Sequence, residues 1–242
     1  MKKFAVFFFV IIHFLSCKKQ ETKIQLAVTS SLLPVFEAFL EDYDSKRGEK
    51  MQLIHSSSGK LSQQIVNAAP YAAFFSASDI YSQFVKKELK LPQESQPFAK
   101  GKLVMVINKK QLRHKKWIQA SRIGIANPRL APYGELAEIY LKASPYYGQF
   151  KGKLIYGQNV NQVLQYLLTK NISVGILSKA NVFSAHLDDN IFEIIDLDTH
   201  SFKEIIHTKL ILKPSNHLTH FLSYLKSDAA KQILTTYGYV PL

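Results

Sequence analysis

Short apolar runs alternate with helical spacings along most of this chain. Ile24 to Val28 reads as a strand, and Leu32, Val35, Phe36, Phe39, Leu40 and Tyr43 then fall on one face of a helix. Met51 to Ile54 predicts a second strand, Leu61 and Ile65 the apolar side of a second helix, and Ala72 to Phe75 a third strand. Leu103 to Ile107 is apolar on both faces and Ile123 to Ala126 follows it, then a helix from about Tyr133 to Leu141. Val160, Val163, Leu164, Leu167 and Leu168 give a further amphipathic helix. Val174 to Leu177, Ile191 to Ile195 and Lys209 to Leu212 read as strands, and Leu218, Phe221, Leu222 and Leu225 as a helix. This alternation predicts an α/β fold with mainly parallel sheets flanked by helices. The 242 residues suit one large domain or two small lobes. If there are two lobes, the absence of a low-complexity linker puts the crossings on ordinary strands, near Gly101 and near His207.

The first residues stand apart from this pattern. Lys2 and Lys3 precede an apolar stretch from Phe4 to Leu15, broken only by His13. A membrane-spanning helix needs about 20 residues, so this stretch is short. With Ser16 and Cys17 after it, the segment resembles a bacterial lipoprotein signal. The resemblance implies cleavage after residue 16, acylation of Cys17 and a tether over 17–23; a plain signal peptide or an uncleaved anchor are the alternatives. Cys17 is the only cysteine, so the remaining chain has neither a disulfide nor a cysteine metal site.

The formal charge is +13, and removing residues 1–16 takes away two Lys and no acid, leaving +11. A basic surface attracts anionic lipid, anionic solutes or nucleic acid. Export argues against nucleic acid, and the pairs Lys18-Lys19, Lys86-Lys87, Lys109-Lys110 and Lys115-Lys116 are scattered. They predict a solvated surface near lipid rather than a binding stripe.

The candidate chemistry lies at four junctions between strand and helix. Thr29-Ser30-Ser31-Leu32 carries three hydroxyls, more than one helix cap needs. His55-Ser56-Ser57-Ser58-Gly59-Lys60-Leu61 is the second, and it lacks the first Gly of a Walker A loop. Asn127-Pro128-Arg129-Leu130-Ala131-Pro132-Tyr133-Gly134 is the third, with Pro132 at a helix start; Gly157-Gln158-Asn159-Val160 is the fourth. Free amides at helix N-termini, joined by Ser hydroxyls, form an oxyanion site of neutral donors. A protonated ligand oxygen would find no acceptor there.

At these residues the chain resembles the periplasmic molybdate-binding proteins of ABC transporters, which have a two-lobed type II periplasmic-binding-protein fold. Thr29-Ser30-Ser31-Leu32 is similar to the family's Ala-Ala-Ser-Leu, and Ser57-Ser58-Gly59-Lys60-Leu61 to its Ser-Ser-Gly-Lys-Leu. Ala69-Pro70 with Phe74-Phe75-Ser76-Ala77, Asn127-Pro128 with Pro132-Tyr133-Gly134, Val174-Gly175-Ile176 and Tyr237-Gly238-Tyr239 extend the likeness over most of the chain. The resemblance implies one lobe from 24–101 and 208–242, and another from 102–207. It implies that Ser31 and Ser58 offer hydroxyl and amide to molybdate or tungstate, and that Tyr133 and Val160 offer amides. Ser178 stands where many members carry a ligand-binding Tyr and is a candidate for that place. Ala72 and Asn127 stand where the family usually has Asp. The implied partners are an ABC permease and ATPase, with a membrane reached through the lipid anchor, and the implied state is a monomer.

Other readings are weaker. No Gly-x-Ser-x-Gly or His-Glu-x-x-His occurs; His217 and His220 read as a solvated helix face, and Asp188-Asp189 and Asp196 with Asp198 as loop acids. The expectation is therefore a binding protein without catalytic residues or cofactor. Sulfate, phosphate or an organic anion are the alternative ligands, and a surface lipoprotein that binds a partner protein is the alternative role.

Overall fold

The computed structural model describes residues 23–47, 51–112, 116–198 and 204–242. The elements run β1 (Ile24–Thr29), α1 (Leu33–Arg47), β2 (Met51–Ser56), α2 (Ser58–Val66), β3 (Ala73–Ser76), α3 (Asp79–Leu89), β4 (Gln96–Gly101) and β5 (Leu103–Asn108). Next come α4 (Lys109–Leu112), β6 (Ile123–Ala126), α5 (Pro132–Ala143), α6 (Tyr147–Phe150), β7 (Leu154–Gly157), α7 (Val160–Leu168), β8 (Val174–Ser178), α8 (Lys179–Ser184) and β9 (Phe192–Asp196). β10 (Ile205–Ile211), α9 (Asn216–Tyr224), α10 (Asp228–Thr236) and β11 (Val240–Pro241) complete the chain. Cys17 lies outside the described residues.

Two sheets form. The first has the order β11-β4-β10-β3-β1-β2 and the second β7-β6-β8-β5-β9. The chain leaves the first sheet at Gly101, and β5 opens the second two residues later. It returns between β9 and β10; β10 already pairs with β4 at Ile205, so the return to sheet 1 precedes the boundary after 207 expected from sequence. α10 and β11 follow in the first lobe, with β11 on the edge of β4.

Both sheets are mixed rather than mainly parallel. β2-β1-β3 and β7-β6-β8 are parallel, as the strand-helix alternation predicts. β10 enters the first sheet from the other lobe and runs antiparallel to both β3 and β4. β5 likewise runs antiparallel to β8 and β9.

Alternation along the strands builds a core on each face of sheet 1. Leu26, Val28 and Phe75 face α1 and the C-terminal helices, where Phe36 meets Phe75 at 4.5 Å and Phe221 at 6.2 Å between ring centroids. Ala27 and Phe74 face the other way, onto Leu61, Ile65 and Val85. In sheet 2 every residue of β5 is buried, which explains its continuous apolar run.

Candidate functional site

The parallel strands of each sheet end at the same level, and this brings the four junctions together. Thr29 is level with Ser56 on β1 and β2, and Ala126 with Gly157 on β6 and β7. Contacts then link one junction to the next. Ser58 Oγ donates to Thr29 Oγ1 at 3.1 Å, joining the first and second. The Gly59 amide donates to the Leu130 carbonyl at 2.9 Å, joining the second to the third across the lobes. Asn127 N donates to Gly157 O at 2.7 Å, joining the third to the fourth, and Lys60 Nζ reaches Gln158 Oε1 at 2.5 Å.

The candidate donors are closed off from solvent. Ser31 is 1% exposed, Ser58 0%, Tyr133 2% and Val160 3%, so a ligand reaches them only when the lobes part. The Tyr81 hydroxyl donates to the Arg129 carbonyl at 3.4 Å, and Asn181 Nδ2 to the Ser30 carbonyl at 3.0 Å, adding to the closing contacts. Gly59 eases this approach: a Cβ there would lie 3.0 Å from Leu130 O, tighter than an ordinary contact.

Two of the four helix starts, α2 and α7, carry side-chain caps. Ser57, not Ser58, caps α2, its Oγ accepting from Lys60 N at 3.4 Å. Ser58 sits one residue inside the helix, where its hydroxyl accepts from Ala77 N at 3.1 Å. Asn159 caps α7 through Gln162 N at 3.1 Å, as its position predicts. Ser31 has no capping bond among the described contacts; its Oγ lies 3.3 Å from His207 Nε2. Ser178 is occupied otherwise: it caps α8, accepting from Asn181 N and donating to Asn181 Oδ1. Ala131 precedes α5 without a side-chain cap and Pro132, which has no N–H, opens that helix; the Gly134 amide donates to the Ala131 carbonyl at 2.9 Å.

Three residues near the site have no site role assigned from sequence. His207 and Tyr239 lie behind Ser31, and the Tyr239 phenol donates to the Ser31 carbonyl at 2.6 Å. Asn181 bridges Ser30, Ser178 and Asn161. Their sequence neighbourhoods carry no signal for these contacts. The junctions themselves hold no Asp or Glu, and burial pushes the His207 pKa down to about 3, so the imidazole is neutral. Such a lining offers amide and hydroxyl donors to an anion without a buried carboxylate to repel it. Among the described residues no group of His, Cys, Asp and Glu side chains could hold a metal cation.

A cleft shut between two α/β lobes and lined by helix starts defines a solute-binding protein. The chain belongs to the bacterial extracellular solute-binding proteins, whose family profile matches residues 24–240. It is 26% identical over 98% of both chains to YvgL of Bacillus subtilis, which its name assigns to the substrate-binding lipoproteins of ABC transporters. It is 25% identical to the molybdate-binding protein ModA of Azotobacter vinelandii, over 93% of this chain and 92% of the relative. Among solved structures, the periplasmic molybdate-binding protein of Azotobacter vinelandii superposes with a TM-score of 0.78 at 21% identity, covering 90% of this chain and 99% of that one. That likeness establishes the two-lobed fold.

Proposed function

We propose that this protein is the substrate-binding lipoprotein of an ABC importer and that it captures molybdate or tungstate between its lobes. The observation that carries the reading is the convergence of four helix starts on buried hydroxyls with no carboxylate among them. Ser31 and Ser58 supply hydroxyls and amides, and Tyr133 and Val160 supply amides from the second lobe. Neutral fixed dipoles hold a dianion without a buried countercharge, and helix N-termini favour negative charge. The molybdate-binding relatives support the choice of ligand. Cleavage after residue 16 and acylation of Cys17 would hold the protein at the outer face of a membrane, within reach of the permease. The lipoprotein name of the Bacillus subtilis relative supports this anchoring.

Molybdate and sulfate carry the same charge and differ mainly in radius, so selectivity would rest on cavity size. Thermal shift against molybdate, tungstate, sulfate, phosphate and chromate, followed by titration calorimetry, tests the reading. Stabilisation by molybdate and tungstate is expected, since a ligand bound only by the native state raises its stability. Sulfate binding as tight as molybdate would refute the size argument, and no response to any of the five would refute the oxyanion site.

A further inference from the structure

The contacts that join the four junctions close into a ring, and Asn181 supplies its last link. Ser58 with Thr29, Gly59 with Leu130 and Asn127 with Gly157 run from the first junction to the fourth. Asn181 ties the fourth back to the first. Its Nδ2 donates to Asn161 Oδ1, on the first turn of α7, and to the Ser30 carbonyl at 3.0 Å. Its Oδ1 accepts from the Ser178 hydroxyl. Both amide hydrogens and the carbonyl of this buried side chain are thus used. A backbone carbonyl only accepts, so the nitrogen of Asn181, and not its oxygen, faces Ser30.

The contact bears on the site through the other end of the same peptide unit. The Ser30 carbonyl and the Ser31 N–H belong to one planar trans peptide and point in opposite directions. The flanking amides are spent within the protein: Ser30 N donates to Ser56 O and Leu32 N to Thr29 O, both at 2.8 Å. Among the described contacts the Ser31 N–H between them has no acceptor, although Ser31 is buried. The Tyr239 phenol holds the next carbonyl, that of Ser31. With Asn181 on one carbonyl and Tyr239 on the next, the backbone on both sides of Ser31 is fixed and its amide is left as a donor.

We propose that Asn181 is a positioning residue of the anion site: by donating to the Ser30 carbonyl it holds the Ser30–Ser31 peptide with the Ser31 N–H presented to the bound oxyanion. The proposal rests on the oxyanion reading above. Hydrogen bonds in series polarise one another, so the same contact strengthens the Ser31 N–H as a donor. Through Asn161 the side chain also couples this amide to the start of α7, whose Val160 amide the same reading assigns to the ligand.

Amide NMR and calorimetry with sodium molybdate, both on the purified protein, test this. On binding, the Ser31 amide proton should move downfield, and those of Ser30 and Leu32, already bonded, should move less. Asn181→Leu, close in size and without donors, should weaken binding about three- to tenfold and shrink the Ser31 shift. Asn161→Ala breaks only the link to α7 and should cost no more than about twofold. A loss there as large as that of Asn181→Leu would move the role to α7 and overturn the proposal. An affinity loss in Asn181→Leu with the Ser31 shift unchanged would mark Asn181 as structural only and overturn it too. So would a Ser31 amide that does not move when the wild type binds. If Asn181→Leu fails to fold, Asn181→Ala and the wild-type shift decide. Wild-type protein that binds neither molybdate nor tungstate overturns the oxyanion reading and this proposal with it. Wild-type binding with Asn181→Leu unaffected overturns this proposal alone.

Discussion

The amide of Gly59 donates to the carbonyl of Leu130 at 2.9 Å, and this backbone bond ties the start of α2 in one lobe to the loop before α5 in the other. An added methyl at Gly59 would meet Leu130 O of the other lobe at 3.0 Å, a contact that exists because the lobes are shut, and a Tyr81 ring carbon of its own lobe at 3.2 Å. Gly59→Ala should therefore hinder closure. Affinity for molybdate is expected to fall by about three- to tenfold, or roughly 1 kcal/mol. The melting temperature without ligand should not fall, because Ala is the better helix former. Small-angle scattering with saturating molybdate checks the cause, since the variant should remain more extended than the wild type.

Ser57 and Ser58 are neighbours with separable duties. Ser57→Ala removes the α2 cap and should cost about 1 kcal/mol of stability, with little effect on molybdate affinity. Ser58→Gly and Ser31→Gly should weaken binding about ten- to a hundredfold, the value of a hydrogen bond to a charged group. Ser58→Gly also strips the acceptor from the buried Ala77 amide, so it should lose about 1–3 kcal/mol in chemical denaturation. Ser178→Ala should behave like Ser57→Ala, costing a cap and sparing the ligand. Wild-type binding by both glycine variants would remove the hydroxyls from the site.

Acid should destabilise the protein partly through His207. Its pKa is about 3 in the fold against 6.5 for a free histidine, and burial is the cause. Above pH 6.5 neither state takes the proton, and this group leaves stability unchanged. Below it the unfolded chain is protonated while the fold stays neutral, so stability falls as pH drops toward 3. Between pH 6.5 and 4.5 the loss from this residue is roughly 2–3 kcal/mol. Urea titrations across that range should show a shallower slope for His207→Phe than for the wild type.

Cys17→Ala tests the anchor. The variant should accumulate without lipid and leave the detergent phase on phase partitioning, whereas the wild type should enter it. Unchanged partitioning would sink the lipoprotein reading.

The sequence discloses elements whose buried stripe is wide and hides those whose stripe is thin. β5 is apolar throughout because it lies inside sheet 2, and it stands out from composition alone. α3 escapes notice because only Ser82 and Val85 are buried on it, while Ile80 is 60% exposed. β4 carries Pro97 and lysine near its end, and β7 is an edge strand with Tyr156 half exposed; neither shows a strong strand pattern. The junctions were readable because serine, glycine and proline mark helix starts. Which of three consecutive serines caps α2 was not, since cap and neighbour differ only in backbone angles. Antiparallel pairing of β10 depends on the chain returning from the other lobe, a matter of topology that local spacing cannot encode.

Tyr239, just before β11, holds the carbonyl of Ser31, just after β1, and β11 seals the edge of the sheet that β1 opens. A growing chain therefore cannot finish its first lobe until Tyr239 and β11 have emerged. Contacts of such long sequence separation form late, because closing a large loop must precede the reward. Assembly of the proposed site is in this way scheduled after both lobes have been made. A chain threaded only as far as β10 lacks the backing that holds Ser31 in place, and the proposed site is not yet formed.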